Sequence, residues 1–258
     1  MLKPNLGVQM FTLRAYTQNA KDLQQCLGKI KDIGYRSIQV SAFGRIAADE
    51  IARLCQKFEL EIGGTHVSWD RFQNDLEAVI DEHKLWGCRH TAIGMIPPAE
   101  YLSMSGMDRF LKELEPISSQ LREAGMTFSY HNHAHEFLHF DGKPWLQHLL
   151  DRAPAELLKI ELDTHWVVAG GGDPAVWVDK CGDRMPLLHL KDFKVNAEYR
   201  RNFAPVGDGN MNWAAILAAA ADHPIEYYFV EQDNCYGEDE FECLARSYQF
   251  LTHHCGLA

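Results

Sequence analysis

The chain has 258 residues, 46% of them hydrophobic and 24% charged, with a formal net charge of -11 at pH 7. This composition suits one globular domain spanning 1–258, with a core that needs no staple. The acidic balance and the lack of a Lys/Arg run exclude a basic groove, so no nucleic-acid partner is expected.

Met1–Asn5 lacks the apolar run of a secretory signal, no stretch reaches transmembrane length, and the seven cysteines show no CxxC pair. A cytoplasmic protein with no membrane partner is expected. In chain order, strand-like runs occur at 6–10, 37–40, 61–66, 89–93, 127–131, 157–162, 186–190 and 227–231. Between them lie apolar stripes at helical spacing: Leu23, Cys26, Leu27 and Ile30, then Phe72, Leu76, Val79 and Ile80, then Leu114, Ile117 and Leu121. Gly34 and Gly125 stand where glycine ends a helix. Strand starts about 25 to 40 residues apart suit βα units rather than hairpins. Eight such units predict a (β/α)8 TIM barrel, and no GxGxxG or GxxxxGK[ST] supports an open nucleotide-binding sheet. Gly170–Gly172 before Asp173-Pro174 is expected to be a flexible loop at the active site.

In such a barrel, chemistry sits at the carboxyl-terminal strand ends. The polar residues there are His66, then His131 with His133, His135 and Glu136, then Asp163 with His165, then His189 with Lys191 and Asp192, and finally Glu231 with Asp233. Charged and imidazole groups at the edge of apolar strands need partners, and a shared divalent cation would satisfy several together. Carboxylates and imidazoles without a thiolate suit Mn, Co, Mg, Fe or Zn. Taken singly, each histidine is as well explained as hydrogen-bonded filler. Lys191 and Asp192 fit a plain ion pair, and Trp69, Trp166 and Trp213 fit the core as well as a sugar-stacking surface. No GxSxG elbow or HExxH helix is present.

Six segments carry a resemblance: 6–14 (LGVQMFTLR), 130–137 (YHNHAHEF), 161–166 (ELDTHW), 188–192 (LHLKD), 205–209 (PVGDG) and 230–233 (VEQD). With these, nearly the whole chain resembles the xylose isomerase-like barrel superfamily, particularly its sugar phosphate isomerase/epimerase branch. The resemblance implies one divalent metal ion held by Glu, Asp, His and Glu. Three of these positions carry over to Asp163, His189 and Glu231. At the fourth, His131 stands in register with the relatives' Glu, and Glu136 lies five residues on. Glu136 is the expected ligand because a hard cation prefers carboxylate oxygen, with His131 beside it on substrate.

The implied reaction is proton abstraction next to a carbonyl of a sugar or polyol, with Glu231 and Glu136 as base and acid. His165 and His66 would orient hydroxyls, and Lys191 would stabilise developing negative charge. Gln9, His131, His133 and Trp166 complete the expected substrate contacts. A dehydratase or lyase acting on an inosose or a 3-keto-glycoside uses the same enolate and is the alternative. A non-catalytic sugar-binding barrel is the third reading, and an apurinic endonuclease is disfavoured by the charge. Homo-oligomerisation is compatible with all of them.

Overall fold

The computed structural model describes residues 5–257. The ends of the expected 1–258 domain, and most of the Met1–Asn5 run, therefore lie outside the described residues. Eight parallel strands close into a barrel: β1 (Asn5–Gln9), β2 (Ser37–Val40), β3 (Glu61–Val67), β4 (His90–Ile93), β5 (Thr127–His131), β6 (Lys159–Asp163), β7 (Leu187–Leu190) and β8 (Tyr227–Val230). Each strand pairs with its sequence neighbours, and β1 closes on β8 with Val8 opposite Val230. Every run expected to be a strand is one.

The principal helices follow the strands in turn: α1 (Ala20–Ile33), α2 (Ala48–Lys57), α3 (Leu76–Trp86), α4 (Met104–Glu123), α5 (Trp145–Arg152), α6 (Pro174–Cys181), α7 (Trp213–Ala220) and α8 (Glu240–Gln249). The stripe on α1 is buried at Leu23, Cys26, Leu27 and Ile30, and Gly34 closes the helix with φ 119° while its N–H reaches the Ile30 and Lys31 carbonyls. An L-residue with a side chain would be strained there. The stripe from Phe72 to Ile80 is not one helix, because Asp75 leaves helical geometry and separates Trp69–Asn74 from α3.

The glycines at 170–172 do not form the expected loop over the site. A Cβ on Gly170 would stand 2.2 Å from Phe137, and one on Gly172 would stand 2.8 Å from the Trp177 Nε1. They permit close packing outside the barrel. Trp69 and Trp213 are buried core residues. Asp192 does not pair with Lys191. It accepts from the backbone N–H groups of Phe193, Gly207 and Met211 and from Trp213 Nε1, which ties the 205–211 segment to the barrel end.

Candidate active site

Side chains alternate along a strand, so residues two apart face the same way. In β6 this rule puts Glu161 and Asp163 on the inward face together. Asp163 ends the strand and caps the helix Thr164–Ala169, its Oδ1 accepting the Trp166 N–H at 3.0 Å. Asn132 Oδ1 accepts the Asp163 N–H at 2.9 Å, and Thr164 Oγ1 donates to the carbonyls of His189 and Lys191. These braces lock the ends of β5, β6 and β7 together. Asp163 Oδ2 is buried without a hydrogen-bond partner.

Around that oxygen, His131, Asp163, His189 and Glu231 each offer one ligand atom, all within 4.8 Å of one another. His189 Nδ1 lies 2.9 Å from Glu231 Oε2 and 3.8 Å from Asp163 Oδ2. Its Nε2 is held by Gln39 Oε1 at 2.7 Å and by a close contact with Glu161. Burial alone would discharge this imidazole, but Glu161 and then Glu231 outweigh burial and push its pKa up to about 10. Lys191 is also fully enclosed. Its ammonium lies 3.4 Å from Asp163, 3.1 Å from Glu231 and 2.7 Å from Asp233, and those carboxylates overcome burial to keep it charged.

Glu161 is the site residue that the sequence reading missed. It is fully buried and accepts from both sides: Gln39 Nε2 lies 2.9 Å from each of its oxygens, and His66 Nε2 lies 2.8 Å away. Burial would raise its pKa, yet His189 and His66 hold it well below the usual carboxylate range. Glu161 lay inside a run read as apolar strand, and the period-two relation to Asp163 was the available signal. Gln39, inward on β2, was missed for the same reason.

A second overlapping group, His66, His131, Glu161 and His189, also brings its ligand atoms within 4.8 Å of one another. The two groups differ in what their carboxylates already do. Glu161 Oε1 is already saturated by Gln39, His66 and His189 and its Oε2 takes Gln39, whereas Asp163 Oδ2 takes no hydrogen bond and Glu231 borders open space. A cation is therefore better accommodated by the Asp163–Glu231 group, with Glu161 and Gln39 orienting His189 from behind.

The open space is a cavity of about 380 Å³ at the carboxyl-terminal mouth, within the range of small-molecule sites. His66, His131, His133, Lys191, Glu231 and Asp233 border it, with Phe11 and Met95 as apolar walls. Five of the expected site residues are thus brought to one cavity, with Asp163 and His189 buried next to it.

The remaining expectations meet a different geometry. Glu136 is not grouped with Asp163: its Oε1 accepts the Tyr130 hydroxyl and its Oε2 accepts the His133 N–H, both at 2.7 Å. The short helix His135–Phe137 turns its carboxylate back toward its own segment, which leaves His131 as the fourth side chain of the cluster. Gln9 is fully buried, its Oε1 accepting the Phe11 N–H and its Nε2 lying 3.1 Å from His66 Nδ1, so it orients His66. His165 is packed among Trp166, Phe193 and Phe203. Trp166 lies 5.3 Å from the His133 ring and 5.2 Å from the Lys191 ammonium, outside the cavity wall.

No helix among the described residues is long and apolar enough to cross a membrane. No curated protein matches the sequence. Among solved structures, a sugar phosphate isomerase/epimerase from Parabacteroides distasonis superposes with TM-score 0.82 at 22% identity, over 97% of this chain and 94% of the other. An L-ribulose 3-epimerase gives TM-score 0.74 at 15% identity, over 98% and 94%. A probable 3-DHS dehydratase from Bacillus anthracis gives 0.71 at 15% identity, over 97% and 99%. These likenesses carry the fold. The family profile described as xylose isomerase-like TIM barrel matches residues 27–245, and with the closed eight-stranded barrel it shows that this chain belongs to that family.

Proposed function

We propose that the protein is a divalent-metal-dependent isomerase or epimerase of an unphosphorylated sugar or polyol. The observation that carries this reading is the buried Asp163 Oδ2, which takes no hydrogen bond and meets only the shared Lys191 ammonium at 3.4 Å and His189 Nδ1 at 3.8 Å, set among His131, His189 and Glu231 beside the cavity. One ammonium shared by Asp163, Glu231 and Asp233 compensates these buried carboxylates incompletely, and a divalent cation would supply further positive charge. Two carboxylates and two imidazoles fit Mn, Co, Mg, Fe or Zn. When bound there, the cation would polarise a substrate carbonyl and its neighbouring hydroxyl.

The chain's own residues supply the rest. Glu231 removes and returns the proton on the carbon next to the carbonyl. Asp233, the other carboxylate on the cavity wall, takes the second proton-carrying role expected of Glu136. Lys191 keeps its contact with Asp233 when a cation engages Asp163 and Glu231, and its ammonium faces negative charge developing on the substrate. His66, fixed by Gln9 and Glu161, orients a hydroxyl.

The substrate class follows from charge. Lys191, among the described residues the one basic side chain on the cavity wall apart from the histidines, is already engaged by three carboxylates. Arg14 nearby donates to the carbonyls of Phe11 and Asp233. Neither side chain is left to pair with a phosphate ester, and a neutral polyol needs no such partner.

The test is to incubate Mn- or Co-loaded protein with neutral ketoses, inososes and 3-keto-glycosides in deuterated water. The reading expects deuterium on the carbon next to the carbonyl of one of them, in the recovered substrate or its epimer. Deuterium accompanied by loss of water or of an aglycone would move the assignment to a lyase, and no exchange with any of them would contradict it.

A further inference from the structure

A second set of ligating side chains lies beside the Asp163–Glu231 group, in the short segment after β5, with the His133 ring 5.0 Å from that of His131. His133, His135 and Glu136 each offer one ligand atom, all within 4.8 Å of one another. The local fold sets this up. The short helix His135–Phe137 folds the chain back, so that the buried Glu136 takes the His133 N–H on Oε2 and the Tyr130 hydroxyl on Oε1. With its carboxylate fixed, the His133 and His135 rings stack beside it at 5.5 Å and 7°.

Two nitrogens in this group are buried without a hydrogen-bond partner, His133 Nδ1 and His135 Nε2. His135 Nε2 lies 2.9 Å from Glu136 Oε1, yet is out of line for a hydrogen bond. Such a nitrogen and oxygen approach closely without donating to each other when both bind one ion: ligand arms of about 2.0–2.1 Å put tetrahedral neighbours roughly 3.3 Å apart. Buried polar nitrogens are seldom left orphaned, and two of them on side chains grouped with one carboxylate call for a common partner.

We propose that His133, His135 and Glu136 form a second, structural metal site that takes a zinc-class divalent cation. Two imidazoles and one carboxylate favour Zn, Co or Ni over Mg or Ca. All three ligands come from four consecutive residues, so the site needs none of the barrel geometry that assembles Asp163, His189 and Glu231. Its role is to pin the 132–137 turn and thereby hold His133 at the cavity wall.

The test uses untagged protein stripped with a chelator and dialysed to equilibrium against Zn(II), with metal content and melting temperature measured for the parent, His135→Ala and Asp163→Asn. His135 is partly exposed, so its truncation leaves the fold intact, and circular dichroism verifies this. Glu136→Gln, which keeps the volume, serves as the second variant. The expected result is two equivalents in the parent and one in each variant, with a smaller zinc-dependent rise in melting temperature for His135→Ala and Glu136→Gln. Equal stoichiometry in the parent and His135→Ala overturns the inference. One equivalent lost in Asp163→Asn but kept in His135→Ala overturns it while leaving the proposed function standing. One equivalent lost in His135→Ala but kept in Asp163→Asn supports it and removes the metal from the proposed function. No zinc in the parent overturns the inference and leaves the proposed function to its own test with Mn or Co.

Discussion

The two ends of the barrel carry similar residue types and treat them differently. At the amino-terminal end, Glu61 takes Asn5 and Tyr227, while Glu226 is flanked by Arg89 and by His90, whose Nδ1 meets Thr127. These carboxylates are partly exposed and have ordinary partners. At the carboxyl-terminal end, Glu161, Asp163, Glu231, His189 and Lys191 are all nearly or wholly buried, and Asp163 Oδ2 takes no hydrogen bond. The first arrangement stabilises strand ends at little cost. The second concentrates charge where water cannot screen it, which is unfavourable for stability alone and useful for chemistry.

Substitutions at the two ends should therefore separate activity from stability. The largest effect is expected for Glu231→Gln, which removes the proton carrier and a ligand with little change in volume: turnover should fall by about 10²–10⁴-fold with circular dichroism unchanged. Near-parental turnover would break the contrast. Glu161→Gln should act through His189, which loses its charged anchor, and lower metal affinity by about 10–100-fold as measured by calorimetry. An unchanged affinity would make Glu161 a structural residue only. Glu226→Gln at the opposite end should leave turnover within about twofold and cost no more than about 1 kcal/mol in denaturant unfolding.

Acid sharpens the same contrast. His90, with Arg89, holds the Glu226 carboxyl down at about 2, against an ordinary value of 4.5. A depressed carboxylate contributes stability that is fully present above the unfolded-state value and is lost as pH falls through the folded-state value. The stability difference between the parent and Glu226→Gln should thus shrink between about pH 4.5 and 2. A difference independent of pH over that window would assign the effect to packing.

The barrel was legible in the sequence because the strands recur as short, largely apolar runs and the segments between them carry helical stripes, as in Leu23 to Ile30, even where Asp75 splits one stripe between two helices. Asp163, His189 and Glu231, which the fold groups with His131, stand out in the sequence because they lie at or beside the ends of such runs. The choice between His131 and Glu136 was not, since a five-residue separation does not say whether the chain continues toward the mouth or folds back. The Tyr130 hydroxyl and the His133 N–H turn the Glu136 carboxylate back toward its own segment, and both are local contacts rather than features of spacing. Glu161 and Gln39 stayed hidden because a polar residue inside an apolar strand shows its partner only when the barrel closes and brings β2 and β6 across from each other.

The most direct test of the account is anomalous diffraction from crystals soaked in Mn(II). The account predicts a peak bonded to Asp163, His189, Glu231 and His131, about 2.0–2.3 Å from each ligand atom, with Glu136 still bonded to Tyr130. A peak held by Glu136 with His131 turned away, or no peak among these residues at saturating Mn(II), would contradict it.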